Sequence, residues 1–239
     1  MAGEDNARKK VCVVVGVGPG NGASLARRFA ADGYSVALLA RGTGISTTLA
    51  NELPQARAYA CDVSDGDAIA RTFASVREEL GEVDVVVYNA GSGVWGTMDD
   101  ITPADFEASW RVNALGLFCV AKEVVPAMKK RGEGALIVIG ATASRRGVPR
   151  TTAFAPAKAA QKSLCESLAR QLGPLGIHVA LIVVDGIVDL PRTREYMKGK
   201  PDEFFIKPDA VADLASFLVR QDRSAWSFEV EARPFGESW

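Results

Sequence analysis

The segment Val11-Cys12-Val13-Val14-Val15-Gly16-Val17-Gly18-Pro19-Gly20-Asn21-Gly22 decides the fold. Its unbroken apolar start predicts a strand covered on both faces, and the glycines run directly into an amphipathic helix from Gly22 to Asp32. Such a turn presents backbone N–H groups and the positive end of a helix dipole to a bound pyrophosphate, with no side chains in the way. Gly16, Gly18, Gly20, Asn21 and Gly22 are therefore expected to hold the phosphates of a dinucleotide. Any tight strand-to-helix turn also wants glycine, but the strand before, the helix after and the second strand beyond favour the nucleotide.

The same alternation continues along the chain. Strands are expected at Val11 to Val15, Ser35 to Ala40, Ala56 to Ala60, Asp84 to Tyr88, Ala135 to Ile139, Ile177 to Val184 and Trp226 to Val230, the last alternating in polarity as an edge strand does. Helices are expected near Gly22 to Asp32, Gly66 to Leu80, Pro103 to Arg131, Phe154 to Leu172 and Asp209 to Arg220. Gly33 stops the first, and Thr102-Pro103 caps the third. This order predicts an α/β fold, a doubly wound Rossmann-type sheet of about seven mainly parallel strands with helices on both faces. No linker or repeat divides the chain, so residues 1–239 are expected to form a single nucleotide-binding domain.

Composition narrows the partners. The 239 residues are 48% hydrophobic and 24% charged, enough for a sizeable core and wrong for a disordered chain. Lys and Arg number 28 against 29 Asp and Glu, a net charge of −1 that offers no general attraction to nucleic acid or an anionic membrane. No apolar run approaches the roughly 18 residues that span a bilayer, and the start MAGEDNARKK lacks a secretory signal, so a cytoplasmic location is expected. Cys12, Cys61, Cys119 and Cys165 are scattered through apolar segments without clustered histidine, which predicts reduced thiols and no metal site. His178, the sole histidine, opens its strand at the sheet end away from the ligand crevice and is expected to be structural.

At the end of the second strand, where a carboxylate would select NAD, the chain has Ala40-Arg41-Gly42. A guanidinium there can pair with a 2′-phosphate, so NADP(H) is expected in preference to NAD(H). A solvated surface arginine is the plainer alternative.

With these residues in view the chain resembles the short-chain dehydrogenase/reductase family from Val11 to about Arg220. Gly16, Gly20 and Gly22 match its Gly-xxx-Gly-x-Gly loop, Asp62-Val63 its acidic pair at the adenine, and Asn89-Ala90-Gly91 its Asn-Ala-Gly turn. Asn113 matches the helix asparagine that holds a water in the family's proton relay. The resemblance implies a Ser, Tyr and Lys active site, the last two spaced Tyr-xxx-Lys on one helix face. Here that stretch reads Phe154-Ala155-Pro156-Ala157-Lys158, so Lys158 is present and Phe154 occupies the tyrosine position. The serine position falls on Ala141, with Thr142 beside it as a substitute hydroxyl. The family's Pro-Gly turn becomes Asp185-Gly186, and Leu190 stands where a carboxamide-binding threonine is common.

What the resemblance implies is an NADP(H)-dependent oxidoreductase that moves hydride between nicotinamide and a small carbonyl or alcohol, an imine or an enone, with a non-standard proton donor. Candidate catalytic residues are Lys158, Asn113, Thr142, Phe154 by position, and Tyr196; Ser144 is a further hydroxyl. Candidate cofactor residues are the glycine loop with Asn21, Arg41, Asp62, Val63, Asn89, Ala90, Gly91, Lys158, Gly186 and Val188. The alternative is a catalytically degenerate NADP(H)-binding protein serving as a redox sensor or partner subunit. Residues 191–205 fall where the family has its substrate lid, and Trp95 is read as an aromatic wall or a surface anchor. A homodimer or homotetramer is implied, with Leu164, Leu168 and Leu172 read either as subunit contact or as ordinary core.

Overall fold

The computed structural model describes residues 8–237. It opens with β1 (Val11–Val15), α1 (Asn21–Ala31), β2 (Ser35–Ala40), α2 (Gly44–Glu52), β3 (Ala56–Ala60), α3 (Gly66–Leu80) and β4 (Val83–Tyr88). Then come α4 (Pro103–Trp110), a π-helical turn (Arg111–Leu115), α5 (Gly116–Arg131), β5 (Gly134–Ala141), α6 (Phe154–Leu172) and β6 (Ile177–Val184). The C-terminal part holds β7 (Ile187–Val188), α7 (Pro191–Tyr196), β8 (Phe205–Ile206), α8 (Pro208–Val219) and β9 (Glu229–Ala232). Seven strands form one sheet in the order β3-β2-β1-β4-β5-β6-β9, and every pairing is parallel. None of the described helices is long and apolar enough to cross a membrane.

The apolar strands read as they do because both faces of the sheet are covered. On β1, Val11, Val13 and Val15 point into a cluster with Phe73 of α3 and Leu117 of α5, while Cys12 and Val14 point into one with Phe29 of α1 and Val211 of α8. Phe29 and Phe73 are fully buried, each contributing roughly 1.5–3 kcal/mol of transfer free energy. Leu172 is buried in the first cluster, and Leu164 and Leu168 pack against it while remaining partly exposed.

The order reverses between β1 and β4, which opens a crevice at their C-terminal ends. Gly16 begins the glycine turn at φ +90°, a conformation that excludes side chains, and a Cβ on it would lie 2.5 Å from the backbone of Ala90. Gly22 has no room either, since a Cβ would lie 2.7 Å from the Gly16 carbonyl oxygen.

Several expectations are corrected. The stretch expected as one helix from Pro103 to Arg131 is interrupted by the π-turn, which widens the helix and places Asn113 at zero exposure. Gly116 permits this, for a Cβ there would lie 2.5 Å from both the Tyr88 hydroxyl and the Val63 carbonyl. Helix α2 was not expected, because Gly44, Ser46, Thr47 and Thr48 are weak helix formers; burial of Leu49 against the core carries it. The segment 191–205, expected as a loop, carries α7, and β7 and β8 form a small parallel pair beside it.

The last strand is an edge strand as expected, but lies at Glu229–Ala232 rather than Trp226 to Val230. Two contacts move it. Trp226 leaves the sheet to stack on His178 with ring centroids 4.7 Å apart, and Glu229 and Glu231 are drawn to Arg145, with Lys162 also on Glu229.

Candidate functional site

A cleft of about 1010 Å³ crosses the C-terminal ends of the strands. Its first half is the glycine loop and the ends of β2 and β3. The Asn89 Nδ2 donates to the Gly16 carbonyl at 2.7 Å, tying the end of β4 to the loop and fixing Ala90 and Gly91 beside it. The Asn21 Oδ1 is buried with no hydrogen-bond partner among the described residues. Leu190 covers the loop so closely that a Cβ on Gly20 would meet its Cδ2 at 2.5 Å.

Arg41 is exposed on the cleft wall at the end of β2. Asp62 follows β3, and its carboxylate accepts from the Ser64 backbone N–H at 2.9 Å and the Ser64 hydroxyl at 2.7 Å. These bonds to Ser64, backbone first, hold the carboxyl below the usual carboxylate range. Val63 is buried alongside, on the same wall.

The second half is built on the π-turn, α6 and the ends of β5 and β6. Asn113 donates both Nδ2 hydrogens to carbonyls, Ser92 at 2.7 Å and Ser109 at 2.8 Å, which fixes its amide orientation and leaves Oδ1 buried and unpartnered. Lys158, 5% exposed, donates to the Ile139 carbonyl at 3.0 Å and to Gln161 Oε1 at 2.9 Å. Gln161 in turn donates to the Asn113 carbonyl at 3.0 Å, so one chain of bonds locks α6 to the π-turn. Burial lowers the Lys158 ammonium to about 8.

Phe154 lies at the start of α6, its ring centroid 5.5 Å from that of Trp95 and 6.0 Å from Lys158 Nζ. Trp95 and Phe154 thus form an aromatic wall, with Trp95 58% exposed to the cleft and solvent. Thr142 donates its hydroxyl to Asp185, whose other carboxylate oxygen takes Arg233. Burial works to raise the Asp185 pKa, yet the Thr142 and Arg233 bonds outweigh it and hold the carboxyl below its usual range. The Thr142 proton is therefore already committed. Ser144 is buried and its hydroxyl oxygen accepts from the Ala141 N–H at 3.2 Å.

Gly186 and Val188 line the same cleft. Tyr196 does not: it ends α7 at 86% exposure and is not among the lining residues, although Arg192 and Thr193 of the same helix are. His178 is buried on β6, its two ring nitrogens 3.1 Å from the Leu218 carbonyl and 2.8 Å from the Ser227 carbonyl.

Among the cleft and near-cleft residues that the sequence did not single out are Gln161, Arg233 and Glu237, and for Asp185 its role. Gln161 was legible in principle, since it sits three places after Lys158 on the same helix face. The role of Asp185 as a partner of Thr142, and the positions of Arg233 and Glu237, had no local signal because the contacts join segments more than 40 residues apart in sequence.

The chain matches the short chain dehydrogenase family over residues 10–200. It is 31% identical over 220 residues to the 3-oxoacyl-[acyl-carrier-protein] reductase MabA of Mycobacterium tuberculosis, covering 89% of this chain and 86% of that protein. To the D-xylose 1-dehydrogenase of Caulobacter vibrioides it is 32% identical over 232 residues, covering 90% of each. A metagenomic short-chain oxidoreductase solved in complex with NADP superposes with a TM-score of 0.81 at 29% identity, over 94% of this chain and 96% of that one. The parallel sheet, its crevice and these matches agree, and the chain belongs to the short chain dehydrogenase family of oxidoreductases.

Proposed function

We propose that this protein is an NADP(H)-dependent oxidoreductase that exchanges hydride between nicotinamide and a small carbonyl or alcohol, an imine or an enone. A dinucleotide fits the residues present. The loop of Gly16 and Gly22 is pared of side chains, Asn21 offers an unpartnered buried oxygen beside it, and Asp62 and Arg41 flank the adenosine side. Arg41 supports NADP(H) over NAD(H), since its exposed guanidinium can pair with a 2′-phosphate. Gly18, Gly20, Val63, Asn89, Ala90 and Gly91 complete that half, and Lys158, Gly186 and Val188 the nicotinamide half.

The cofactor, when bound, supplies the hydride; the protein must supply orientation and a proton. Phe154 holds the place the family gives to tyrosine and has no proton to donate. Thr142 is engaged by Asp185, and Tyr196 lies outside the cleft. The observation that carries the reading is that the Lys158 Nζ and the unpartnered Asn113 Oδ1 each lie 3.6 Å from the point where a Cβ on Gly91 would sit. A water held between them is the non-standard donor, replenished by Lys158. Trp95 and Phe154 give the substrate an apolar wall. Residues 1–239 act as one NADP-binding unit with 191–205 as its lid, and Phe106, Trp110 and Phe118, each more than 40% exposed on α4 and α5, support a homodimer or homotetramer.

The test is titration with NADPH and NADH, followed by NADPH consumption across carbonyl, imine and enone substrates. Arg41→Ala is expected to weaken NADPH about tenfold, roughly one charge-assisted contact, while leaving NADH unchanged. Binding without any turnover would instead identify a redox sensor or partner subunit, and binding of neither nucleotide would overturn the reading.

A further inference from the structure

The C-terminal segment re-enters the cleft. Pro234 is buried against Gly186, where a Cβ would meet its Cδ at 2.8 Å, and the Gly236 N–H donates to the Glu203 carbonyl at 3.2 Å. A Cβ on Gly236 would come within 2.7 Å of that same carbonyl oxygen, so this backbone approach requires glycine. Clamped between Gly186 and Glu203, the turn sends Glu237 into the lining of the cleft. Its Oε2 lies 2.9 Å from the position a Cβ on Gly186 would take. That oxygen is shielded from solvent and meets no hydrogen-bond donor among the described residues.

A buried acceptor without a donor is costly, and its position points to what satisfies it. A dinucleotide bound at the switch point crosses the glycine loop with its adenosine half over β2 and β3 and its other half over β5 and β6. Glu237 stands on the β6 side, beside Gly186 and in the same cleft as Lys158 and Thr142. The oxidised nicotinamide ring carries a positive charge that the reduced ring lacks. We propose, on the cofactor reading above, that Glu237 makes the nicotinamide end of the cleft select the oxidised ring over the reduced one.

The charge distinguishes this role from simple hydrogen bonding. A carboxylate attracts the cationic ring through space, whereas an amide oxygen in its place still accepts a hydrogen bond but offers no charge. Glu237→Gln therefore reads the charge alone, and Glu237→Lys reverses it.

The experiment is calorimetric titration of the full-length protein with NADP+ and with NADPH, for the wild type, Glu237→Gln, Glu237→Lys and the control Glu203→Gln. The preference for NADP+ over NADPH, taken as a ratio of Kd values, is expected to fall about three- to tenfold in Glu237→Gln and further in Glu237→Lys, the scale of one charge acting across a partly solvated cleft. Glu203→Gln is expected to keep the wild-type ratio. A general loosening of the tail would weaken both nucleotides and leave the ratio in place. A ratio unmoved in Glu237→Gln and Glu237→Lys while the wild type binds both nucleotides overturns this inference alone. A wild type that binds neither overturns the cofactor reading and this inference with it.

Discussion

The Lys158 Nζ and the Asn113 Oδ1 both lie 3.6 Å from the point where a Cβ on Gly91 would sit. The two polar groups come from different helical segments, and each spends its other hydrogen bonds on the protein, so both face the same niche. A distance of 3.6 Å is ordinary contact, and Gly91 is exposed with no positive φ, so the backbone accepts a methyl group there. Gly91→Ala is therefore expected to fold with little change in Tm yet to lower kcat about tenfold or more by displacing the water proposed above as proton donor. Unchanged kcat would show that the niche takes no part.

Burial brings the Lys158 ammonium to about 8, and only its protonated form can replenish the donor. The rate of carbonyl reduction is expected to be highest below that value and to fall as the pH rises through about 8. Lys158→Met should lose about 10²- to 10⁴-fold in kcat. Lys158→Arg, which keeps its proton throughout this range and cannot pass it on, should lose the break in the pH profile and also lower kcat.

Phe154 lies with its ring centroid 6.0 Å from Lys158 Nζ. Phe154→Tyr would place a phenol on that ring near a desolvated ammonium, which lowers a phenol's pKa from about 10. Reduction of unactivated ketones is expected to rise by about 10²-fold or more, the gain that a positioned acid supplies. Steady-state kinetics on one ketone and one cyclic imine check this, with the smaller gain on the imine; no gain on the ketone would mean that position 154 does not face the reacting oxygen.

Burial lowers the pKa of His178 although the Ser227 and Leu218 carbonyls pull it upward, so the fold favours the neutral ring. The unfolded chain, with a value of about 6.5, then takes up the proton more readily. Stability is full above that pH and falls as the pH drops below it. Urea unfolding between about pH 7 and 5 is expected to show this slope, and His178→Phe, which keeps an aromatic face for Trp226, should flatten it. With one histidine in the chain no other imidazole contributes.

Local pattern made the central architecture legible. An apolar run followed by glycines and an amphipathic stretch has few solutions, since strands buried on both faces need helices on both sides and parallel strands need crossovers. From Val11 to Gly22 the sequence by itself determined the strand, the turn and the helix, and the backbone bears this out through the positive φ of Gly16. The spacing of Phe154 and Lys158 on one helix face was readable for the same reason.

Other features depended on contacts between distant segments. Glu229 and Glu231 set the last strand through Arg145, Trp226 left it for His178, and Leu49 held a helix that its own residues do not favour. The commitment of the Thr142 proton to Asp185, the tie from Gln161 to the Asn113 carbonyl and the return of Glu237 to the cleft are likewise tertiary. Periodicity records which face of an element is buried, because burial repeats with the element's own pitch. Which polar atom meets which other across the cleft is set by the packing of whole elements, and one chain segment carries no trace of it.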